Sequence, residues 1–559
     1  MFFRKQAVCV AALVLGMSGT ASAQLESGGL GELDPWGVGY LASAEPSLSK
    51  SAWQASLGED LLPLMEAVRT RNITPVERTL LRRAVLSPAR APGGERSDQL
   101  LAERARIMFE LGEARAAADL LDRLDVSPEG IVAEELAVDL QFALGQVASA
   151  CAKVQSPELT SDFWLKMRAV CFALEGNQPG AELAIELARA SDINDEWLFS
   201  AVEASFLPDG PKPTARFDTG YGLTISVHSD LPVPINAVSY SRPHLAAAMA
   251  IRPALPPELR VLAAGVASEA GLVSPEEQLA AYEALLTQEG FRPNSPVEAA
   301  LVTLDEPGSS MADRARHLAS ALQGARGSSA RFSAVSTLLK PAIQSVWITE
   351  DTLRYAPLFA ASLLATGETY DAYEWAASHI DALSAVDTTE PTETEGEDND
   401  ERPPLVLPDG DQFESLWLMG ISLLGGLDIP EDEVDAWIVK LVETADSSAK
   451  ADGAARLLTL LTARGQALPA EARRFLLENA ERTERTTEQS ALISAIQSAA
   501  TSGATGEAIF YVLRLINGDP EALHAQDLLT LTAAMADLGL GDLSDDLLLE
   551  AMGLWKESL

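Results

Sequence analysis

Phe109-Glu110-Leu111-Gly112, Phe142-Ala143-Leu144-Gly145 and Phe172-Ala173-Leu174-Glu175-Gly176 are three versions of one short phrase. Each closes an apolar run of helical spacing. Each is followed by an Ala-rich run: Ala116 to Leu121, Ala148 to Val154 and Ala181 to Leu187. The glycines stand 33 and 31 residues apart. A period in that range, with one helix before the glycine and another after it, marks stacked helical hairpins. The fold class read from it is all-α: an α-solenoid of stacked helical hairpins, in two blocks joined by a Pro-rich elbow and an acidic disordered linker. Each unit leaves an apolar side that only its neighbour covers, so an elongated series is expected.

Toward the N-terminus, Arg4 and Lys5 precede an apolar run from Ala7 to Met17, and Ser18-Gly19-Thr20-Ala21-Ser22-Ala23 follows. A basic start, an apolar stretch too short to span a bilayer and an Ala-x-Ala ending are the parts of a cleavable signal peptide, residues 1–23. No later run is long and apolar enough to cross a membrane. The expected location is the periplasm, with secretion as the alternative.

Removing that leader takes Cys9 with it and leaves Cys151 and Cys171 of the three cysteines. An even pair in an oxidising compartment suggests a disulfide. Both lie about equally far from the turn at Ser156-Pro157-Glu158-Leu159-Thr160, on adjacent antiparallel helices. A bridge there closes a loop of about 20 residues, for roughly 3 kcal/mol in the chain-entropy picture. Two buried thiols packing as small hydrophobes are the alternative.

The formal net charge is −41, which argues against nucleic acid or anionic lipid as a partner. Adaptation to a saline environment also produces such acidity. One stretch departs from it. Arg69, Arg71, Arg78, Arg82 and Arg83 open a run of nine arginines before residue 107, against Glu77, Glu95, Asp98 and Glu103. These five are candidates for a docking patch toward an acidic partner or an anionic polymer. The commoner outcome of a charge run is a solvated face, here pairing with the acidic remainder of the chain.

Residues 24–58 are irregular, broken by glycines and prolines, with Trp36, Tyr40 and Trp53 as anchors, and read as a strap along the first hairpin. Helical repeats occupy 59–207. Thr74-Pro75-Val76-Glu77, Ser274-Pro275-Glu276-Glu277 and Ser295-Pro296-Val297-Glu298 share one helix-start device: a hydroxyl cap, a first-turn proline and a returning glutamate. Ser127-Pro128, Ser156-Pro157 and Asp519-Pro520 read as shorter forms. Nine prolines crowd the region around 208–256, the elbow, in which Gly222-Leu223-Thr224-Ile225-Ser226-Val227 reads as a short strand. A helical block follows at 257–385. Residues 386–411 are Thr, Pro and acid without an aromatic, so nothing offsets the entropy of ordering them and a disordered linker is expected. A second array, 412–559, has Gly465, Gly503 and Gly541 at intervals of 38.

Reaction chemistry is not legible. The five histidines are scattered, with no pair spaced as zinc ligands. No phosphate-cradling glycine loop or Gly-x-Ser-x-Gly elbow occurs. Ser47-Leu48-Ser49-Lys50 and Ser447-Ser448-Ala449-Lys450 match Ser-x-x-Lys but lack the Lys-Thr-Gly partner. No cofactor is expected.

Leu111-Gly112 with Ala116 and Ala117 downstream, recurring near 33 residues, resembles tetratricopeptide-type repeats, without their large aromatic before the second helix. The run from Cys151 through Phe163-Trp164 to Gly176, Asp34-Pro35-Trp36-Gly37 and Pro256-Pro257-Glu258-Leu259-Arg260 resemble a group of exported alphaproteobacterial proteins. The resemblance implies a periplasmic helical-repeat protein of Gram-negative cells. The function expected is a non-catalytic scaffold or adaptor binding other proteins of the cell envelope. The alternative is an accessory or degenerate hydrolase that acts on or binds peptidoglycan.

Overall fold

The computed structural model describes residues 34–156, 158–207, 209–234, 236–384, 407, 411–479 and 486–556. The expected signal peptide, most of the acidic linker and the first residues of the strap lie outside them. Among the described residues there are 27 α-helices and no strand, so the class is all-α.

The repeated phrase ends its helices by one hydrogen-bond pattern. Gly112 takes φ +95°; its N–H reaches the Phe109 carbonyl, and the Glu113 N–H reaches that of Met108. Gly145 and Gly176 repeat both bonds one unit on, through Phe142 and Gln141, then Ala173 and Phe172. This is the double C-terminal cap that a left-handed residue permits. It recurs at Gly465, Gly503 and Gly539 in the second array. The chain then turns at once into the next helix, so Ser97–Leu111 packs on Ala114–Leu121, and Asp162–Leu174 on Gln178–Ala190.

Helix starts follow the caps read from sequence, with exceptions. Thr74 and Ser274 form complete capping boxes with Glu77 and Glu277. Ser295 accepts from the Glu298 N–H, but the Glu298 carboxylate turns to the Asn294 N–H at 2.7 Å, one residue early. Ser127-Pro128 heads a turn rather than a helix; the next helix begins at Ala133. Gly222–Val227 is not a strand. It is the middle of the Gly220–His228 helix. Thr219 caps its start by accepting the Gly222 N–H at 3.0 Å, and the Asp139 carboxylate, far back in sequence, accepts the Gly220 and Tyr221 N–H groups at 2.9 Å each. Alternation over six residues carried no trace of that distant cap.

The Pro-rich stretch is docked along its length. Thr224 Oγ1 donates to the Phe142 carbonyl at 2.7 Å and Ser229 Oγ to that of Ala201 at 2.9 Å. Across the linker, Thr369–Ser384 packs directly on Gln412–Leu424. Buried His379 Nδ1 lies 2.9 Å from Ser415 Oγ, and the Leu407 N–H reaches the Ala382 carbonyl.

The described residues from Pro35 onward form one compact unit, in which the Pro75–Leu86 helix packs against Thr505–Ile516 and Gly541–Ala551. Trp53 lies between Trp36 and Phe510, at 6.1 and 5.9 Å between ring centroids, and the Gly506 N–H donates to the Ala52 carbonyl. The strap belongs to the same joint. Arg104, buried in the first hairpin, donates to the carbonyls of Val85, Ser87 and Val38, with its guanidinium 5.7 Å from the Trp36 ring.

Candidate functional site

Closing the series frames a cavity of about 1140 Å³. Its walls come from separate parts of the chain, within residues 70–78, 106–110, 129–131, 239–243, 266–270, 327–330, 518–521 and 555–556. That size is at the upper end for ligand sites, while the lining is more charged than a typical small-molecule pocket.

The joint that shapes the cavity is built on carboxylates. Glu77 Oε2 accepts the Thr74 N–H at 2.8 Å, completing the cap, and Oε1 accepts the Gly518 N–H at 2.9 Å. Glu550 Oε1 accepts the Val76 N–H at 2.9 Å. Burial pushes the Glu77 carboxyl up, and pushes Glu550 to about 8. Gly327 donates to the Trp555 carbonyl at 2.9 Å and closes the opposite wall.

The five arginines singled out in sequence divide between two tasks. Arg83 grips Asp542 through both guanidinium nitrogens, at 3.1 and 2.5 Å. Arg69 donates to the Asn517 carbonyl at 2.6 Å and to its side-chain oxygen at 3.0 Å. Arg82 bridges Glu45 and Glu113, each at 2.8 Å. These three tie the chain to itself. Arg71 and Arg78 line the cavity instead.

Arg78 is half-buried, and no described residue accepts a hydrogen bond or ion pair from its side chain. Burial, and the like charge of Arg82, lower its guanidinium below its ordinary value, with Glu269 and Glu77 acting the other way. Glu269 is itself paired with Arg331 at 3.0 Å. Sequence reasoning missed Arg242 and Lys556, since they lie far from the arginine run; Arg106 closes that run but was not among the five singled out. Arg106 is held by Glu103 and Glu110, and Lys556 by Glu521. Arg242 stacks on the Phe109 ring, 4.5 Å from its centroid. His244 also packs against Phe109, 5.2 Å between ring centroids and tilted. Burial holds the His244 imidazole down to about 4, so it is neutral. It lines a separate apolar cavity of about 220 Å³.

Neither histidine nor cysteine lines the large cavity among the described residues. Its Ser241 and Ser328 hydroxyls are engaged, one donating to the Phe217 carbonyl and the other accepting the Arg331 N–H. The arrangement is suited to holding a polar ligand by charge and hydrogen bonds. Cys151 and Cys171 lie apart from it, at disulfide distance, with Cα atoms 5.5 Å apart. No described helix is long and apolar enough to cross a membrane. No family model, curated protein or solved structure matches the chain.

Proposed function

We propose that the protein is a periplasmic helical-repeat scaffold that binds a protein partner of the cell envelope in its large cavity and performs no catalysis. The observation that carries this reading is the cavity itself, with charged and apolar side chains from eight segments facing one space. Repeat arrays recognise extended chains on surfaces assembled from many units. We read the recurring helix–glycine–helix unit as a tetratricopeptide-like hairpin, stacked in series. The paired cysteines are compatible with an exported location.

Photo-cross-linking in cells tests the reading. A cross-linker at Ala330, on the cavity wall, captures a defined envelope protein, and one at exposed Leu477, outside the cavity lining, does not. Equal capture at both positions, or none at Ala330, overturns it. Release of soluble fragments from purified peptidoglycan by the protein replaces it with the hydrolase alternative.

A further inference from the structure

We propose that the cavity seats an acidic peptide segment of its partner, whose carboxylates are taken by Arg71, Arg78 and Arg242 beside the start of the Ser329–Gln344 helix. This rests on the preceding reading, that the cavity is the partner site, and states what chemistry it selects.

The charges of the lining are five basic and five acidic side chains, and most cancel in place. Arg106 is taken by Glu103 and Glu110, Lys556 by Glu521, and Glu269 by Arg331. What remains is Arg71, Arg78 and Arg242 against Glu129 and Asp519. In a chain with twice as many acidic as basic residues, a lining with equal numbers of each, three of its arginines without an ion pair among the described residues, is a local departure. Arg78 makes it pointed. A partly desolvated guanidinium without an anion is costly, and a bidentate carboxylate relieves that cost.

Two further features point the same way. The Ser329–Gln344 helix, 16 residues long, opens into the cavity at Ser328, Ser329 and Ala330. The N–H groups of Ser329 and Ala330 lack intrahelical acceptors, and the positive end of the helix dipole favours negative charge there. Between the charged groups lie Ile73, Phe109, Val266 and Trp555. Phe109 already carries the Arg242 guanidinium on one face. Cationic groups interleaved with apolar ones match a peptide in which acidic and aliphatic residues alternate. A small inorganic anion would leave the apolar surface unused.

The test uses the full chain and three labelled octapeptides, alternating Leu with Glu, Gln or Lys, read by fluorescence anisotropy. The Leu/Glu peptide binds at least about tenfold more tightly than the other two, and its affinity falls as salt is raised. Arg78→Gln and Arg242→Gln each weaken it about tenfold with helix content unchanged by circular dichroism. Arg464→Gln, which removes a cation paired to Asp545 outside the cavity, leaves it unaltered. Equal binding of the Glu and Gln peptides, or arginine variants that bind like the parent, overturns the proposal. Displacement of the Leu/Glu peptide by equimolar inorganic phosphate also overturns it, in favour of a small-anion site. Should no octapeptide bind while Ala330 still cross-links a partner, acid recognition falls and the scaffold reading stands. Loss of both removes the two together.

Discussion

Glu77 and Gly518, separated by 441 residues of sequence, share a 2.9 Å hydrogen bond from the Gly518 N–H to the Glu77 carboxylate. The same carboxylate completes the cap of the Pro75–Leu86 helix through the Thr74 N–H. One side chain therefore ends the uncapped state of an early helix and fixes a late turn. Glu77→Ala strips both, leaving one buried donor and one half-buried donor without this acceptor. A loss of about 2–4 kcal/mol is expected, read as a lower urea midpoint. A midpoint within error of the parent would contradict this account of the joint.

Glu550 sets an opposing pH dependence. Its unfolded carboxyl ionises near 4.5, whereas the folded one keeps its proton to about 8. A raised folded value means its stabilisation is complete below 4.5 and is lost as pH rises through 8. Glu550→Gln keeps the acceptor for the Val76 N–H without the charge. It is expected to raise stability by about 2–4 kcal/mol at pH 8 and to change little at pH 4. Denaturation curves of both proteins at the two pH values check this.

His244 works in the reverse sense. With its folded value lowered from 6.5 to about 4, its contribution is complete above 6.5 and is lost as pH falls through 4. His244→Phe, which keeps a ring against Phe109, is expected to flatten the acid limb of the stability profile by about 2–3 kcal/mol. An unchanged acid limb would show that protonation of this ring does not drive the acid loss.

Two glycines of the repeated phrase separate conformational strain from crowding. Gly176 has φ +73° and open space where a Cβ would stand; Gly112 has φ +95° and would place a Cβ 2.4 Å from Leu272 Cδ1. Gly176→Ala is expected to cost about 1–2 kcal/mol, the left-handed penalty alone. Gly112→Ala should cost about 1 kcal/mol more. Thermal midpoints of the two variants decide it, and the reverse order would sink the argument.

The cysteines give a simpler check. Non-reducing gel mobility shifts on reduction, and Cys151→Ser abolishes the shift. Loss of the bridge lowers stability by roughly 3 kcal/mol. A shift that persists in Cys151→Ser would place the bond elsewhere.

Local signals in this chain were readable and remote ones were not. The Phe-x-Leu-Gly phrase, the Thr74 and Ser274 caps and the pairing of Cys151 with Cys171 each depend on residues within one or two turns or one hairpin. The Gly220–His228 helix does so only in part: Thr219 caps it locally through the Gly222 N–H, but the Gly220 and Tyr221 N–H groups end on the Asp139 carboxylate, which no window around Gly222 contains. The arginine run shows the same division. Its density was plain, but nothing in it revealed that Arg83 answers Asp542 and Arg69 answers Asn517, while Arg78 is left facing the cavity. Arg242 could have been found only by knowing that Phe109, a helix-ending residue of the phrase, stands under it.

An open row of repeats can fray from either tip, because each unit depends on its neighbours alone. Here two distant residues brace the Pro75–Leu86 helix, Gly518 on Glu77 and Glu550 on Val76. A ribosome delivers those residues 441 and 474 positions after their partners, so the braced helix stays incomplete through that stretch of synthesis. Contacts of such long sequence separation close slowly, and a truncation that removes the final fifty or so residues should loosen the beginning of the molecule as much as its end.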